Sequence, residues 1–104
     1  MSKTIPPELR QDPGWRGALH ILESGFPSER SVVWQYVNPV QRVIDFDGMQ
    51  AGGAWSHGEL LLIQAAASLF NPRQTVSLWE MVSTLDNDNL ELVVDAIRES
   101  GGLQ

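Results

Sequence analysis

The sequence has no cysteine and only one lysine, Lys3, among its seven basic residues. Without thiols there is no disulfide framework, no thiolate zinc site and no cysteine nucleophile. No stretch approaches the roughly 18 apolar residues a membrane-spanning helix needs, and the opening MSKTIPPELRQDPG lacks an apolar segment of signal-peptide type. A cytoplasmic protein that does not engage a membrane is therefore expected. Charged residues are also sparse, at 19% against an apolar share of 42%, which is the balance of a folded chain and not of a disordered one.

A length of 104 residues suits one hydrophobic core, so residues 14–104 are expected to form a single helical domain after an extended lead-in over 1–13. The net charge of −6 is unevenly placed. Residues 1–55 carry six acids and five bases, whereas residues 56–104 carry seven acids against only Arg73 and Arg98. An acidic second half is poorly suited to neutralising phosphates, so nucleic acid is not an expected partner.

Pro6, Pro7 and Pro13 punctuate the lead-in, and Trp15, Ala18, Leu19 and Leu22 then follow helical spacing up to a stop at Gly25. Residues 28–47 read two ways. Val32, Val33, Trp34, Tyr36, Val37, Val40, Val43 and Ile44 favour strands and a short β hairpin. Val33, Val37, Val40 and Ile44 recur at helical intervals, and Asn38-Pro39-Val40-Gln41 looks like a helix start, which favours two short helices. The glycine-rich DGMQAGGAW that follows predicts a loop over 47–55.

The clearest signal is Ser56-His57-Gly58-Glu59, a capping box before the run LLLIQAAASLF. That run is apolar on nearly every side, with Gln64 and Ser68 on one narrow polar stripe, so a buried central helix over about 56–70 is predicted. Asn71-Pro72 ends it. Ser77-x-x-Glu80 opens a short helix with Leu78, Val82 and Leu85 on its expected apolar face. Asp86 or Asp88 opens a last helix with Leu90, Val93, Val94 and Ile97 as its apolar stripe and Gly101-Gly102 as its stop. The fold class that follows is all-α, a small helical bundle around a buried central rod, with a short hairpin in 28–47 as the variant reading.

The segments Ile44-Asp45-Phe46-Asp47, Ser56 to Glu59, Ala67-Ser68-Leu69-Phe70 and Leu85-Asp86-Asn87-Asp88-Asn89 together resemble a pattern found in short helical proteins of actinobacteria and their phages. The resemblance spans roughly residues 44–100 and implies a helical domain with no assigned activity and no catalytic residues to carry over. The Ser-x-Gly-Glu helix start also looks like the Leu-Ser-Gly-Gly-Gln signature of ABC-type ATPases. That chemistry needs a phosphate loop ending in Gly-Lys-Ser/Thr, and the single lysine, Lys3, is in the lead-in.

His57-x-Glu59 lacks the two further thiolate ligands of a zinc deaminase, and His20 has no helical partner four residues away. Asp45-Phe46-Asp47-Gly48 and Asp86-Asn87-Asp88-Asn89 have oxygen ligands at alternate positions but do not continue into a calcium-binding loop; capping explains the second cluster. No Gly-x-Ser-x-Gly elbow is present. No metal and no cofactor is expected.

Binding surfaces are the better candidates. Asp88, Glu91, Asp95 and Glu99 make one ridge on the last helix, either a solvated face or a surface for a basic partner. Trp55 and Trp79 are expected as exposed anchors, while Trp15 and Trp34 look like packing residues. His57 sits where a helix start exposes free backbone N–H groups and is a further contact candidate, although Glu59 already occupies that positive end. The functional expectation is a non-enzymatic interaction or accessory factor with a protein partner or a second copy of itself. A helix-turn-helix regulator and an enzyme without a recognisable motif are the alternatives, the first disfavoured by four acids on its would-be recognition helix.

Overall fold

The computed structural model describes residues 5–28 and 30–102; residues 1–4 of the expected lead-in, Lys3 included, lie outside them. The order of elements is α1 (Pro7–Gln11), α2 (Pro13–Gly25), a 3₁₀ turn (Val32–Tyr36), β1 (Val37–Asn38), β2 (Val43–Ile44), α3 (Phe46–Gly52), α4 (His57–Phe70), α5 (Leu78–Thr84) and α6 (Asn87–Ser100). The protein is a small, mostly helical domain with a two-stranded hairpin.

α4 is the central rod that its sequence implies. Ser56 Oγ accepts a hydrogen bond from the Glu59 backbone N–H at 3.1 Å, and the Glu59 carboxylate accepts from the Ser56 N–H at 2.9 Å. Leu61, Leu62, Ile63, Ala65, Ala66 and Ala67 are all buried, and α2, α3, α5 and α6 each pack on this one helix. Replacing Ser56 with alanine leaves one first-turn N–H without its acceptor. Chemical denaturation of Ser56→Ala is expected to show a loss of about 1 kcal/mol, and Ser56→Gly only a few tenths. Equal, unperturbed midpoints for both variants would show that the cap contributes nothing.

α2 forms as expected, with Asp12 capping the Trp15 N–H and Pro13 at the first helical position. The residues before it depart from the expected extended lead-in. Pro7 opens a five-residue helix, α1, whose Leu9 is buried and whose Arg10 makes a bidentate pair with Glu23 of α2 at 3.0 Å for both bonds. The hydrogen bond to Glu23 holds the Arg10 guanidinium above its ordinary pKa. A helix this short has no independent stability, so docking decides its conformation where local spacing does not.

Two further expectations are corrected. The Asn38-Pro39-Val40-Gln41 segment begins no helix: it is the turn of the hairpin, in which Asn38 Oδ1 accepts from the Gln41 N–H and Arg42 takes a left-handed φ of 59°. β1 and β2 run antiparallel, Val37 opposite Ile44 with both buried, so the β-branched preference prevails over the helical spacing. The 3₁₀ turn keeps one short helical piece of the other reading.

The predicted 47–55 loop is helical over Phe46–Gly52. Asp45 caps it by accepting from the Gly48 N–H, and Phe46 and Met49, three apart, both enter the core. Its glycines make room for a neighbour more than they bend the chain. A Cβ at Gly48 would strike the capping Asp45 carboxylate and stand 3.1 Å from the Tyr36 ring, and one at Gly52 would collide with the Tyr36 hydroxyl.

Aromatic contacts tie the layers together. Trp15 meets Phe70 edge-on at 5.4 Å and Phe46 meets Phe70 at 5.5 Å, linking α2 and α3 to the end of α4. α6 starts at Asp86, which accepts from the Asn89 N–H, and stops at Gly101-Gly102, where Gly102 adopts a φ of 74° that suits glycine. No helix of the described residues is long and apolar enough to cross a membrane.

Candidate functional site

α5 carries more apolar surface than one side of a two-turn helix can bury. At roughly 100° per residue, Leu78, Trp79, Met81, Val82 and Leu85 spread over about 160° of its circumference. Capped by Ser77, the helix turns Met81 and Leu85 into the core and leaves the rest outside. Trp79 is 74% exposed, Leu78 69% and Val82 63%, which corrects the expectation that Leu78 and Val82 face inward with Leu85.

α6 divides in the same way. Val93 and Ala96 are buried against the body, where the helix packs chiefly on α2. The predicted stripe of Leu90, Val93, Val94 and Ile97 is therefore split, with Val94 40% and Ile97 47% exposed. At its C-terminal end α6 comes close to α2, where a Cβ at Gly17 would collide with the Ser100 hydroxyl.

Both helices lie on α4 and barely touch each other, which leaves a cleft between them. Ala65, Ser68 and Leu69 of α4 form its floor with Met81 and Val93, and Leu78 and Ile97 stand on opposite walls. Its volume of about 100 Å³ is that of a few water molecules, or of one branched aliphatic side chain. The lining offers one hydroxyl, and Ser68 Oγ already donates to the Ala65 carbonyl at 2.9 Å. Such a hollow favours an apolar occupant.

The acidic ridge adjoins this surface on one side. Glu91 and Asp95 share a shallow groove with Leu90 and Val94, and Arg98 in the same groove lies 4.0 Å from Asp95. Asp88 is exposed one turn nearer the helix start. Glu99 is turned elsewhere, into a hollow of about 180 Å³ with Arg10, Arg16, His20 and Glu23, in which two guanidiniums face two carboxylates.

Of the other candidates, only Trp79 joins the cleft-bearing surface. Trp55 is folded inward: its indole N–H donates to the Met49 carbonyl at 2.8 Å and its ring meets Phe26 edge-on at 5.6 Å. Gly53 beside it is required, since a Cβ there would strike the Trp55 ring. Trp55 is a packing residue, contrary to expectation, whereas buried Trp15 and half-buried Trp34 behave as expected. His57 is exposed at the first position of α4, eight residues from Ala65 and so roughly 12 Å along the helix from the cleft. Asp45 and Asp86 are helix caps, and Asp47 accepts from the Gln74 amide at 3.0 Å. Among the described residues no group of three or more His, Asp or Glu is placed to hold a metal ion.

No family model, curated protein sequence or solved structure matches this chain. Leu85 and Asp86 alone separate α5 from α6, a spacing compatible with a helix-turn-helix, yet the outward face of α6 presents Asp88, Glu91 and Asp95 to any phosphate. The cleft is lined by apolar side chains and one hydroxyl, and the carboxylates Glu91 and Asp95 lie in the separate groove along α6.

Proposed function

We propose that the protein is a non-enzymatic interaction or accessory factor that acts by docking a macromolecular partner onto the α5–α6 surface. The observation that carries this reading is the exposure of Leu78, Trp79 and Val82 on α5 and of Val94 and Ile97 on α6, of which Leu78 and Ile97 line the apolar cleft between the two helices. Isolated exposed hydrophobics are ordinary; a group of them around a hollow marks a binding surface. Tryptophan and aliphatic anchors are also the residues around which binding energy concentrates. The likeness to actinobacterial and phage proteins suggests a phage-related setting.

Photo-crosslinking in a lysate of the source cell tests this. A photoreactive residue placed at Val82 or Ile97 is expected to yield a defined adduct, and one at the exposed hairpin residue Gln41 none. Absence of any adduct from both cleft positions, with another copy of the chain or with another protein, overturns the proposal.

A further inference from the structure

We propose that the occupant of the cleft is the apolar face of a basic amphipathic helix, a statement that rests on the docking reading above and adds the chemistry of the partner. Shape, charge and the exclusion of a strand each point the same way. Leu78 and Val82 are exposed i, i+4 neighbours on α5, and Val94 and Ile97 are exposed i, i+3 neighbours on α6, with Leu78 and Ile97 lining the cleft between the helices. Two such ridges with a groove between them are what a third helix packs against, placing one anchor side chain in the groove. A strand would need a sheet edge to extend, and the strands of the described residues are two residues long.

Charge selects the partner's sign. Residues 56–104 hold seven acids and two bases, and Glu91 and Asp95 stand directly beside Leu90 and Val94. Arg98, the one cation of that groove, is paired at 4.0 Å with Asp95. No charged residue lines the cleft itself; the carboxylates lie one groove over on α6, beyond Val94. A helix with aliphatic residues on one face and lysine or arginine along its flank would fill the hollow and reach across Val94 to these carboxylates. A second copy of the chain would bring the same carboxylates to the same groove, so self-docking there sets like charges against each other.

The test uses two synthetic amphipathic peptides titrated into the full chain under NMR observation. One has leucines spaced i, i+3, i+4, i+7 with lysine elsewhere, and its twin has glutamate in place of lysine. The lysine peptide is expected to shift amides of residues 78–82 and 93–97, and the glutamate peptide to bind at least about tenfold more weakly. Ile97→Asp distinguishes docking from simple attraction: the added charge would strengthen a purely electrostatic complex, whereas loss of the cleft wall is expected to weaken this one about tenfold. Leu78→Ser, at a more exposed position, is expected to act in the same direction with an unchanged melting temperature. Glu91→Gln/Asp95→Asn is expected to weaken the lysine peptide and leave the glutamate peptide no weaker. Equal binding of both peptides at the cleft overturns the basic-partner inference while leaving the docking reading intact. Binding of neither peptide overturns this inference, as does a shift pattern away from α5 and α6, or tighter binding by Ile97→Asp. Sedimentation of the free chain as a dimer with these amides protected replaces the basic helix with a second copy.

Discussion

Ile63→Ala is expected to remove about 2–5 kcal/mol of stability, because it deletes a fully buried side chain from the helix on which four others pack. Losses of this size combine the transfer free energy of the missing carbons with the cavity left where the surroundings cannot close. α4 is contacted by α2, α3, α5 and α6, so collapse onto the gap would have to move several elements together. A domain of this size commonly holds about 5–15 kcal/mol in all, which places the variant near the limit of folding. At about 3 kcal/mol the melting temperature would fall by roughly 10–20 °C. Ile63→Val, which removes one methylene, should lose about 0.5–1.5 kcal/mol. Gln64→Ala, one residue on but on the polar stripe, should be neutral within about 0.5 kcal/mol. A flat series across these three variants would show that α4 is not the organiser of the core.

Gly17→Leu is the second large effect, and it acts by overfilling. Gly17 is buried where α2 crosses α6, and a Cβ there would collide with the Ser100 hydroxyl and stand 3.1 Å from Leu69 Cδ1. The same hydroxyl donates to the Pro13 carbonyl at 2.8 Å, tying the end of α6 to the start of α2. A leucine at 17 displaces α6 and breaks that bond, for a combined loss of about 3 kcal/mol from overpacking and the lost hydrogen bond. Gly17→Ala gains up to about 1 kcal/mol in helix propensity and loses a similar amount by pushing Ser100 aside. Ser100→Ala removes the obstacle, so the pair Gly17→Ala/Ser100→Ala should be more stable than the sum of the single effects predicts. Additive effects in that cycle would mean that the helices are not in contact at this point.

The parts of this fold that are legible in the sequence are the ones decided within three or four residues. Ser56 with Glu59, Ser77 with Glu80 and Asp86 with Asn89 are hydrogen bonds between near neighbours, and each leaves its mark as a capping residue type just before an apolar run. α1 and α3 are not legible in this way. Their helical state depends on burying Leu9, Phe46 and Met49 against partners distant in the chain, and prolines or glycines obscure the local signal. The helical reading of Asn38–Gln41 failed for a related reason, since an asparagine-proline pair with a third-position glutamine caps a turn as readily as a helix.

The candidate surface was half visible. Trp79 and the acids of α6 stand out by type, and Asp88, Glu91 and Asp95 are exposed as their spacing suggests. Leu78, Val82, Val94 and Ile97 do not stand out, because an aliphatic residue at helical spacing reads as core. The usable signal lay in the excess: α5 and its C-cap Leu85 bring five apolar residues into about two turns, more than one face accommodates. Trp55 misleads in the opposite direction, since only the fold shows Met49 and Phe26 beside it.

If α5 and α6 form a docking surface, their exposed apolar residues serve binding and not folding. Urea denaturation of the triple variant Leu78→Gln/Val82→Gln/Ile97→Gln tests it most directly, because glutamine keeps helix propensity while removing the apolar surface. The predicted result is a stability within about 1 kcal/mol of the parent, with the midpoint independent of protein concentration in both. A loss of several kcal/mol, the sum expected for three core residues, would place these side chains in the folding core and contradict the account.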